Sequence, residues 1–372
     1  MIKILILGRV KGAYRTQDIY KYLFNNRENY RFISYDPDWV YLKNNNIIIR
    51  YISRLIFYYF INTIMLFILI SFTNKVFIPA MNHSNAPFIF IAKLLGKEVI
   101  TDLYISLYDT NVFDRKKINK DSWQARKIKL YDKILLKYSD IVIHLNEYEL
   151  KYIAKLLSLD INKIRYVIIP LSNNEKKKKI RYTVNKKINI CWWGSYIPLH
   201  GLDKIIKMAD YLKEKIDFHI YLCGNSAEKS REYQRLIDNS SLNKIITIRN
   251  DITFSNGKLE EFLINNCDLS LGVFGNSIKA HNVLTNKVVD SINMKIPVLT
   301  MEKEALYEFF DTSNDIYTCN NDPQDMAEKV IGIFNKTTAI ERNRRAEKAY
   351  EIYLNYFTIG KFHKELEEIF SD

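Results

Sequence analysis

Cysteine is scarce in this chain. Four occur in 372 residues (Cys191, Cys223, Cys267 and Cys319), all in the second half and none in a C-x-x-C pair. Three of them sit in or beside apolar runs. That spacing builds neither a disulfide framework nor a zinc site; it reads as buried free thiols in a reducing compartment. Glycine (11) and proline (7) are also few, beside an ordinary 48% of hydrophobic and 26% of charged residues. Collagen-like, fibrous and disordered chains are thereby excluded. H-E-x-x-H, G-x-S-x-G, a Walker loop and a D-x-D pair are all missing, so nothing points to a dedicated metal site. No signal-peptide pattern opens the chain, because strand-like residues begin at Lys3.

Acid is in deficit. Lys and Arg total 55 against 42 Asp and Glu, a formal charge of +13. Such a surplus suits nucleic acid, anionic lipid or a phosphorylated substrate. It equally suits compositional drift in a chain rich in Lys, Asn, Ile and Tyr. Nothing beyond one basic run supports nucleic acid, and no such partner is expected. The length allows roughly two domains, at ~150 residues each.

Short apolar runs recur at 3–8 (KILILG), 30–35 (YRFISY), 75–80 (KVFIPA), 98–101 (EVIT), 140–145 (DIVIHL) and 164–170 (IRYVIIP). They predict buried parallel strands, with helices between them over 16–26, 86–95 and 123–138. Residues 172–187 (SNNEKKKKIRYTVNKK) interrupt the pattern with seven positive charges and predict an interdomain linker. The alternation restarts with strands at 188–193, 217–223, 244–248, 267–274, 296–301 and 315–319. Helices fit over 202–213, 228–237, 258–266, 286–294, 304–311 and 323–335, and the tail 338–371 is helical. The fold class is therefore α/β, two tandem doubly wound (Rossmann-like) domains facing a central cleft. The boundaries are 1–171, a linker 172–187, 188–337, and C-terminal helices over 338–372 that pack back toward the first domain.

Residues 55–72 (LIFYYFINTIMLFILISF) carry no charge over 18 residues, the lower limit for a membrane span. They lie between two strands of one sheet, which a span would tear apart. The remaining readings are a buried core helix and a helix dipped into a membrane surface. In the second, Arg50, Arg54 and Lys75 would meet anionic headgroups and Tyr51, Tyr58 and Tyr59 the interface, giving peripheral contact through 51–75.

Three strand ends in the second half carry candidate chemistry. The strand at 267–274 leads through Gly275 into a polar loop with Lys279 and His281. Thr285 then stands as N-cap of a helix opening with Asn286, Lys287 and Asp290. Free N–H groups at a helix start favour phosphate, and Lys279 and Lys287 add full charge. Lys287 and Asp290, three apart, share a face; an ordinary capped helix with a solvated ion pair has the same spacing. In WWGSYIPLHG (192–201), Gly194 and Ser195 bring backbone N–H groups close to a phosphate. His200 is a ligand candidate or a loop histidine facing water. Gly224 closes a third strand. In the first half the candidates are Arg9 and Gly12 in GRVKG, His83 in MNHSN, Asp102 at a strand end as a catalytic carboxylate, and Asp109 beyond it.

These residues resemble the two-domain GT-B glycosyltransferases, specifically bacterial family 4 (group 1) enzymes. The resemblance rests on WGSYIPLHGLD (193–203), LGVFGNSIKA (271–280), TNKVVDSINMKIPVLT (285–300), ALYEFF (305–310) and DLYISLYDTNVFDRK (102–116). It implies GT-B architecture, a nucleotide-sugar donor on the C-terminal domain and a glycan or lipid-linked acceptor on the N-terminal one. It also implies transfer with retention, without metal or other cofactor, in bacterial surface polysaccharide assembly on the cytoplasmic side of the membrane. Gly194, Ser195 and Lys279 would approach the diphosphate. Asp290 takes the position of the second Glu of the family's E-x7-E element, which holds the ribose, and Glu308 matches a Glu after the following strand. Asn282 stands where the first Glu is expected, and Ser195 and His200 where basic residues are common. The alternatives on the same fold are a nucleotide-sugar epimerase or hydrolase, and a catalytically degenerate donor-binding subunit.

Overall fold

The structure is a computed structural model that describes residues 1–10, 14–37, 60–179 and 187–371. The chain divides into two units, one of Met1–Ile169 with His363–Asp372 and one of Pro170–Phe362.

Unit 1 is built on six parallel strands: β1 (Ile2–Leu7), β2 (Tyr30–Tyr35), β3 (Lys75–Ile78), β4 (Glu98–Asp102), β5 (Ile141–His144) and β6 (Tyr166–Ile168). Their order is β2-β1-β3-β4-β5-β6. β3 and β5 are buried along their whole length, which is why they read as unbroken apolar runs. The helices are α1 (Tyr14–Asn25), α2 (Asn62–Ser71), α3 (Ile89–Leu94), α4 (Trp123–Tyr138) and α5 (Glu147–Leu156). Ser122 caps α4 and Asn146 caps α5 through their side chains. The helix expected over 86–95 begins instead as a 3-10 turn, His83–Phe88, because Pro87 has no N–H to give an α-helical ladder.

Unit 2 has six more parallel strands: β7 (Ile188–Gly194), β8 (Phe218–Gly224), β9 (Ile246–Arg249), β10 (Leu269–Leu271), β11 (Val298–Met301) and β12 (Tyr317–Cys319). Their order is β12-β11-β10-β7-β8-β9. The helices are α6 (Leu202–Leu212), α7 (Ala227–Asn239), α8 (Lys258–Asn266), α9 (Ile278–Asn282), α10 (Asn286–Asn293), α11 (Glu304–Tyr307), α12 (Pro323–Lys336), α13 (Ala339–Tyr356) and α14 (Ile359–Ser371). The core between sheet and helices is centred on Trp192, Ile205, Phe218, Leu269, Phe274 and Met326. From His363 onward α14 belongs to unit 1, where Phe370 packs edge-on against Phe77 and Lys75 donates to the Ile369 carbonyl.

Three local expectations change. The loop after β10 contains a helix, α9, because Ser277 accepts from the Ala280 N–H and caps it. The basic stretch, over its described part, runs along unit 2. Lys176 N and Lys178 Nζ donate to Asn293 Oδ1, and Lys179 N donates to the Met294 carbonyl. Residues 180–186 lie outside the described residues. Lys75 cannot reach a headgroup: it is buried against Glu98 at 2.8 Å. Arg50, Arg54, Tyr51, Tyr58 and Tyr59 lie outside the described residues. Among those described, no helix is long and apolar enough to cross a membrane.

Candidate functional site

In each sheet the strand order reverses once, between β1 and β3 in unit 1 and between β7 and β10 in unit 2. β7 and β10 are neighbours, with β8 and β9 on one side and β11 and β12 on the other. Ligands of an open parallel sheet bind where the order reverses, outside the carboxyl ends of those two strands. β7 ends at Gly194 (φ +140°), and the chain after β10 reaches Phe274 and Gly275. The two loops are bonded together: Phe274 N donates to the His200 carbonyl and Gly275 N to the Leu199 carbonyl, each at 3.1 Å. Gly201 (φ +62°) allows this approach, since a Cβ there would stand 2.5 Å from the Phe274 carbonyl.

His200 is buried, contrary to the reading of a loop histidine facing water. Its Nδ1 lies 2.7 Å from the Ser195 carbonyl, and its Nε2 lies 2.8 Å from Lys287 Nζ. A carbonyl only accepts, so Nδ1 carries the proton. Burial and the Lys287 charge hold the imidazole neutral, its pKa lowered to about 2. Nε2 therefore accepts and Lys287 donates. The lysine crosses in front of Gly194, where a Cβ would stand 2.9 Å from Nζ. Its ammonium also lies 5.3 Å from the Trp192 ring centroid. Burial lowers the Lys287 pKa to about 7, against the pull of Asp290 and with a push from Lys303.

Asp290 is buried too, and its pKa is raised to about 6 by burial, against the Lys176 charge. Asn173 Nδ2 donates to its Oδ1 at 2.7 Å, and Lys176 Nζ stands 3.7 Å from the same oxygen. Lys287 and Asp290 are thus both buried, with different partners, and do not form a solvated pair. Thr285 does occupy the N-cap position of α10, but its hydroxyl makes no capping bond and is buried without a partner. The first turn of α10 therefore receives no side-chain cap.

Lys279 is buried on α9, as is Asn282, whose Nδ2 has no partner. Sequence reasoning missed Lys303. It follows β11 between two glutamates, which disguises it as surface, yet it is buried and donates to the Ala280 carbonyl at 3.3 Å. The structure thus joins Gly194, Ser195, His200 and Lys287 directly, while Asp290 and Lys303 act on Lys287 through their charge. Gly224 is sealed rather than open: a Cβ there would stand 2.1 Å from the Tyr196 ring, whose hydroxyl donates to Asn250. Asn286 is exposed and Glu308 half-buried. Cys191 and Cys223 are buried, and burial pushes the Cys223 thiol up to about 12.

In unit 1 the candidates fall into separate networks. Asp102 is buried and gripped by Arg15 Nε at 3.0 and 3.2 Å, while Arg15 Nη1 donates to the Ile169 carbonyl. Burial raises the Asp102 pKa and the guanidinium draws it back. Its carboxylate is a buried ion-pair partner in this structure. His83 is also buried, its Nε2 donating to the Ile105 carbonyl at 3.0 Å and lying 3.4 Å from Asp132. Asp109 accepts from the Tyr152 hydroxyl at 3.0 Å. Arg9 is exposed and pairs with Asp36; its backbone is clasped by Asn82, which takes the Arg9 N–H at 2.7 Å and donates to its carbonyl. Gly8 (φ +132°) makes room for that asparagine, another residue the sequence did not single out. Gly12 lies outside the described residues. No set of three or more His, Cys, Asp or Glu side chains converges as a metal site among the described residues.

No protein-family model matches the sequence, and no curated protein sequence does. Solved structures do match. HepE from Anabaena, crystallised with UDP and glucose, superposes with a TM-score of 0.70 at 10% identity, covering 100% of both chains. Sucrose-phosphate synthase from Thermosynechococcus elongatus superposes with a TM-score of 0.69 at 10% identity over 100% of this chain and 98% of that one. A glycosyltransferase from Rickettsia africae gives 0.68 at 15% identity over 99% and 97%. These are GT-B structures, and this chain has the same two-domain, Rossmann-like α/β fold.

Proposed function

We propose that the chain is a glycosyltransferase that binds a nucleotide-sugar donor by its diphosphate in unit 2 and transfers the sugar to a glycan or lipid-linked acceptor served by unit 1. The observation that carries this reading is the Gly194–His200–Lys287 juxtaposition. It sets a buried ammonium, oriented by a neutral imidazole, in front of a Cβ-free loop at the sheet's switch point. The similarity to HepE, whose structure holds UDP and glucose, supports the same ligand class here.

Charge gathers on the leaving diphosphate as the glycosidic bond breaks. Lys287, Lys279 and the open start of α10 would stabilise that charge without reorganising, which is where preorganised donors act most strongly. Asp290 would take the ribose through Oδ2, its other oxygen being engaged by Asn173. Asp102, fixed by Arg15, serves as a structural partner and does not abstract a proton in this proposal. Retention, independence from metal and a role in bacterial surface polysaccharide assembly follow the resemblance and are part of the same proposal.

Titration calorimetry with UDP, GDP and CDP tests it. One nucleotide is expected to bind, and Lys287→Met should weaken that binding at least tenfold, the typical worth of a charge-assisted bond. Equal binding by the variant, or no nucleotide binding by the wild type, would sink the assignment.

A further inference from the structure

The stretch after β6, which the sequence presents as a linker, carries a residue fixed against the donor-binding helix. The chain leaves unit 1 at Ile169 and returns to it at His363. Asn173 stands beside both passages, and both of its backbone polar groups are pinned. Its N–H donates to the Phe357 carbonyl at 3.1 Å, and its carbonyl accepts from the Tyr353 hydroxyl at 2.8 Å. An isolated parallel bridge pairs it with Thr358. Tyr353 and Phe357 are buried, and Phe357 stacks on Phe310, so the anchor itself is rigid.

The residues that follow are bonded to one face of α10. Asn293 lies three residues beyond Asp290 and shares its face. Asn293 Oδ1 accepts from Lys176 N at 3.1 Å, and its Nδ2 donates to the Asn174 carbonyl at 2.9 Å. Lys176 Nζ stands 3.7 Å from Asp290 Oδ1 and 4.2 Å from the centre of the Phe254 ring. Among these fixings Asn173 Nδ2 donates to Asp290 Oδ1 at 2.7 Å, across 117 residues of sequence. A carboxylate can turn about its Cβ–Cγ bond. A donor whose own backbone is held takes one oxygen, fixes the plane of the group and leaves Oδ2 presented. A ligand hydroxyl then meets an acceptor already in place, without the cost of ordering it.

We infer that Asn173 is a positioning residue for the donor's ribose, holding the Asp290 carboxylate so that Oδ2 accepts from a ribose hydroxyl. The inference rests on the reading of unit 2 as the donor site and deepens it. It makes a residue of the connecting segment a determinant of ribose over deoxyribose.

Calorimetry with UDP, GDP or CDP, whichever the wild type binds, and with the 2′-deoxy and 3′-deoxy forms of that nucleotide tests the inference. The wild type should prefer the ribonucleotide to the weaker deoxy form by about tenfold, the worth of one hydrogen bond to a charged group. Asn173→Ala keeps both backbone bonds and loses only the amide donor. Its preference should shrink to about threefold or less while affinity for the deoxy form holds. Asn173→Asp keeps the side-chain shape and supplies the second variant. The groups facing the new carboxylate are Asp290, the Lys176 and Lys287 ammoniums and the Tyr353 hydroxyl. At about pH 8 the two carboxylates repel and the preference should be lost; at about pH 6 a shared proton restores the hydrogen bond and the preference should return. Lys287 titrates in the same range, but the diphosphate it would grip is common to both nucleotides, so it cancels from the ratio.

An unchanged preference in Asn173→Ala, an equal loss for both nucleotides, or no acid recovery in Asn173→Asp would overturn the inference. Where the wild type prefers ribose and Asp290→Asn abolishes that preference, such a result leaves the donor-site reading standing. A wild type that binds nucleotide with no ribose preference removes Asn173 and Asp290 together and spares the diphosphate grip of Lys287. A wild type that binds no nucleotide sinks the donor reading and this inference with it.

Discussion

Lys287 occupies a place where its charge is costly, and a bound diphosphate would remove that cost. Its folded pKa of about 7 lies below the ordinary lysine value of 10.5, so between those pH values the unfolded chain holds the extra proton. Stability therefore rises with pH above about 7. Asp290 works in the opposite sense. With a folded pKa of about 6 against 3.8, the native state holds the extra proton over that interval, and stability falls as pH rises through it. Taken by itself the pair contributes a stability minimum near pH 6–7 in the ligand-free protein. Urea unfolding across pH 4–9 checks this: Lys287→Met should flatten the alkaline rise, and Asp290→Asn should steepen the rise with pH below about 6 by removing an opposing fall. A diphosphate restores the lysine's charge, so donor binding should take up a proton and weaken about tenfold per pH unit above 7. His200 adds a slope of its own: with a folded pKa of about 2 against 6.5, the unfolded chain holds the extra proton between those values, so stability rises with pH there and offsets the fall from Asp290.

Lys279 and Gly194 test the same chemistry by other substitutions. Lys279→Ala should cost ~10²–10³ in kcat while the melting temperature holds, the usual penalty for losing one donor to developing charge. Near-normal turnover would remove Lys279 from the reaction. Gly194→Ala meets the flexible tip of Lys287 and, at 3.4 Å, the His200 ring edge, so the fold should survive with a backbone strain of roughly 1–3 kcal/mol. Nucleotide affinity should drop because the ammonium is displaced. None of this coupling was visible in the sequence, where His200 and Lys287 are 87 residues apart.

At the level of elements, what was legible was what a local pattern encodes. The strand at 30–35 and the helices at 123–138 and 258–266 are found as read, because apolar period and cap residues define them within a dozen positions. α9 was missed because a five-residue helix is too short to show a period; only Ser277, three residues before Ala280, hinted at it. Thr285 shows the limit of cap reasoning. Residue type put it at the N-cap, but its hydroxyl is turned away from the helix N–H groups. Loop-to-loop locking was equally invisible. Gly201 predicts its importance: a Cβ would strike backbone of the Phe274 loop, which cannot yield as a side chain can. Gly201→Ala should destabilise by at least about 2 kcal/mol in denaturant unfolding. A milder effect would show that the two loops are not rigidly joined. In unit 1, Arg15→Met would leave Asp102 buried and unpaired, a loss of about 3–5 kcal/mol.

For the whole molecule, the sequence carried the succession of strands and helices but not which strands are neighbours. Succession is local, whereas order in the sheet depends on contacts between distant runs. That order decides where a ligand can sit, and it gives the last test. The residues proposed to hold the donor lie on loops and helices of unit 2, while unit 1 has its own sheet and its own core. A nucleotide at 100 times its Kd stabilises the form that binds it by about 2.7 kcal/mol, roughly a hundredfold in the opening equilibrium. Hydrogen exchange should therefore slow with nucleotide at residues 194–201, 274–275 and 286–288, whose amides open with the site. Amides of β1 to β6 should exchange as before. Protection concentrated instead on the loops after β1 or β4 would place the nucleotide in unit 1 and invert the proposed division of labour.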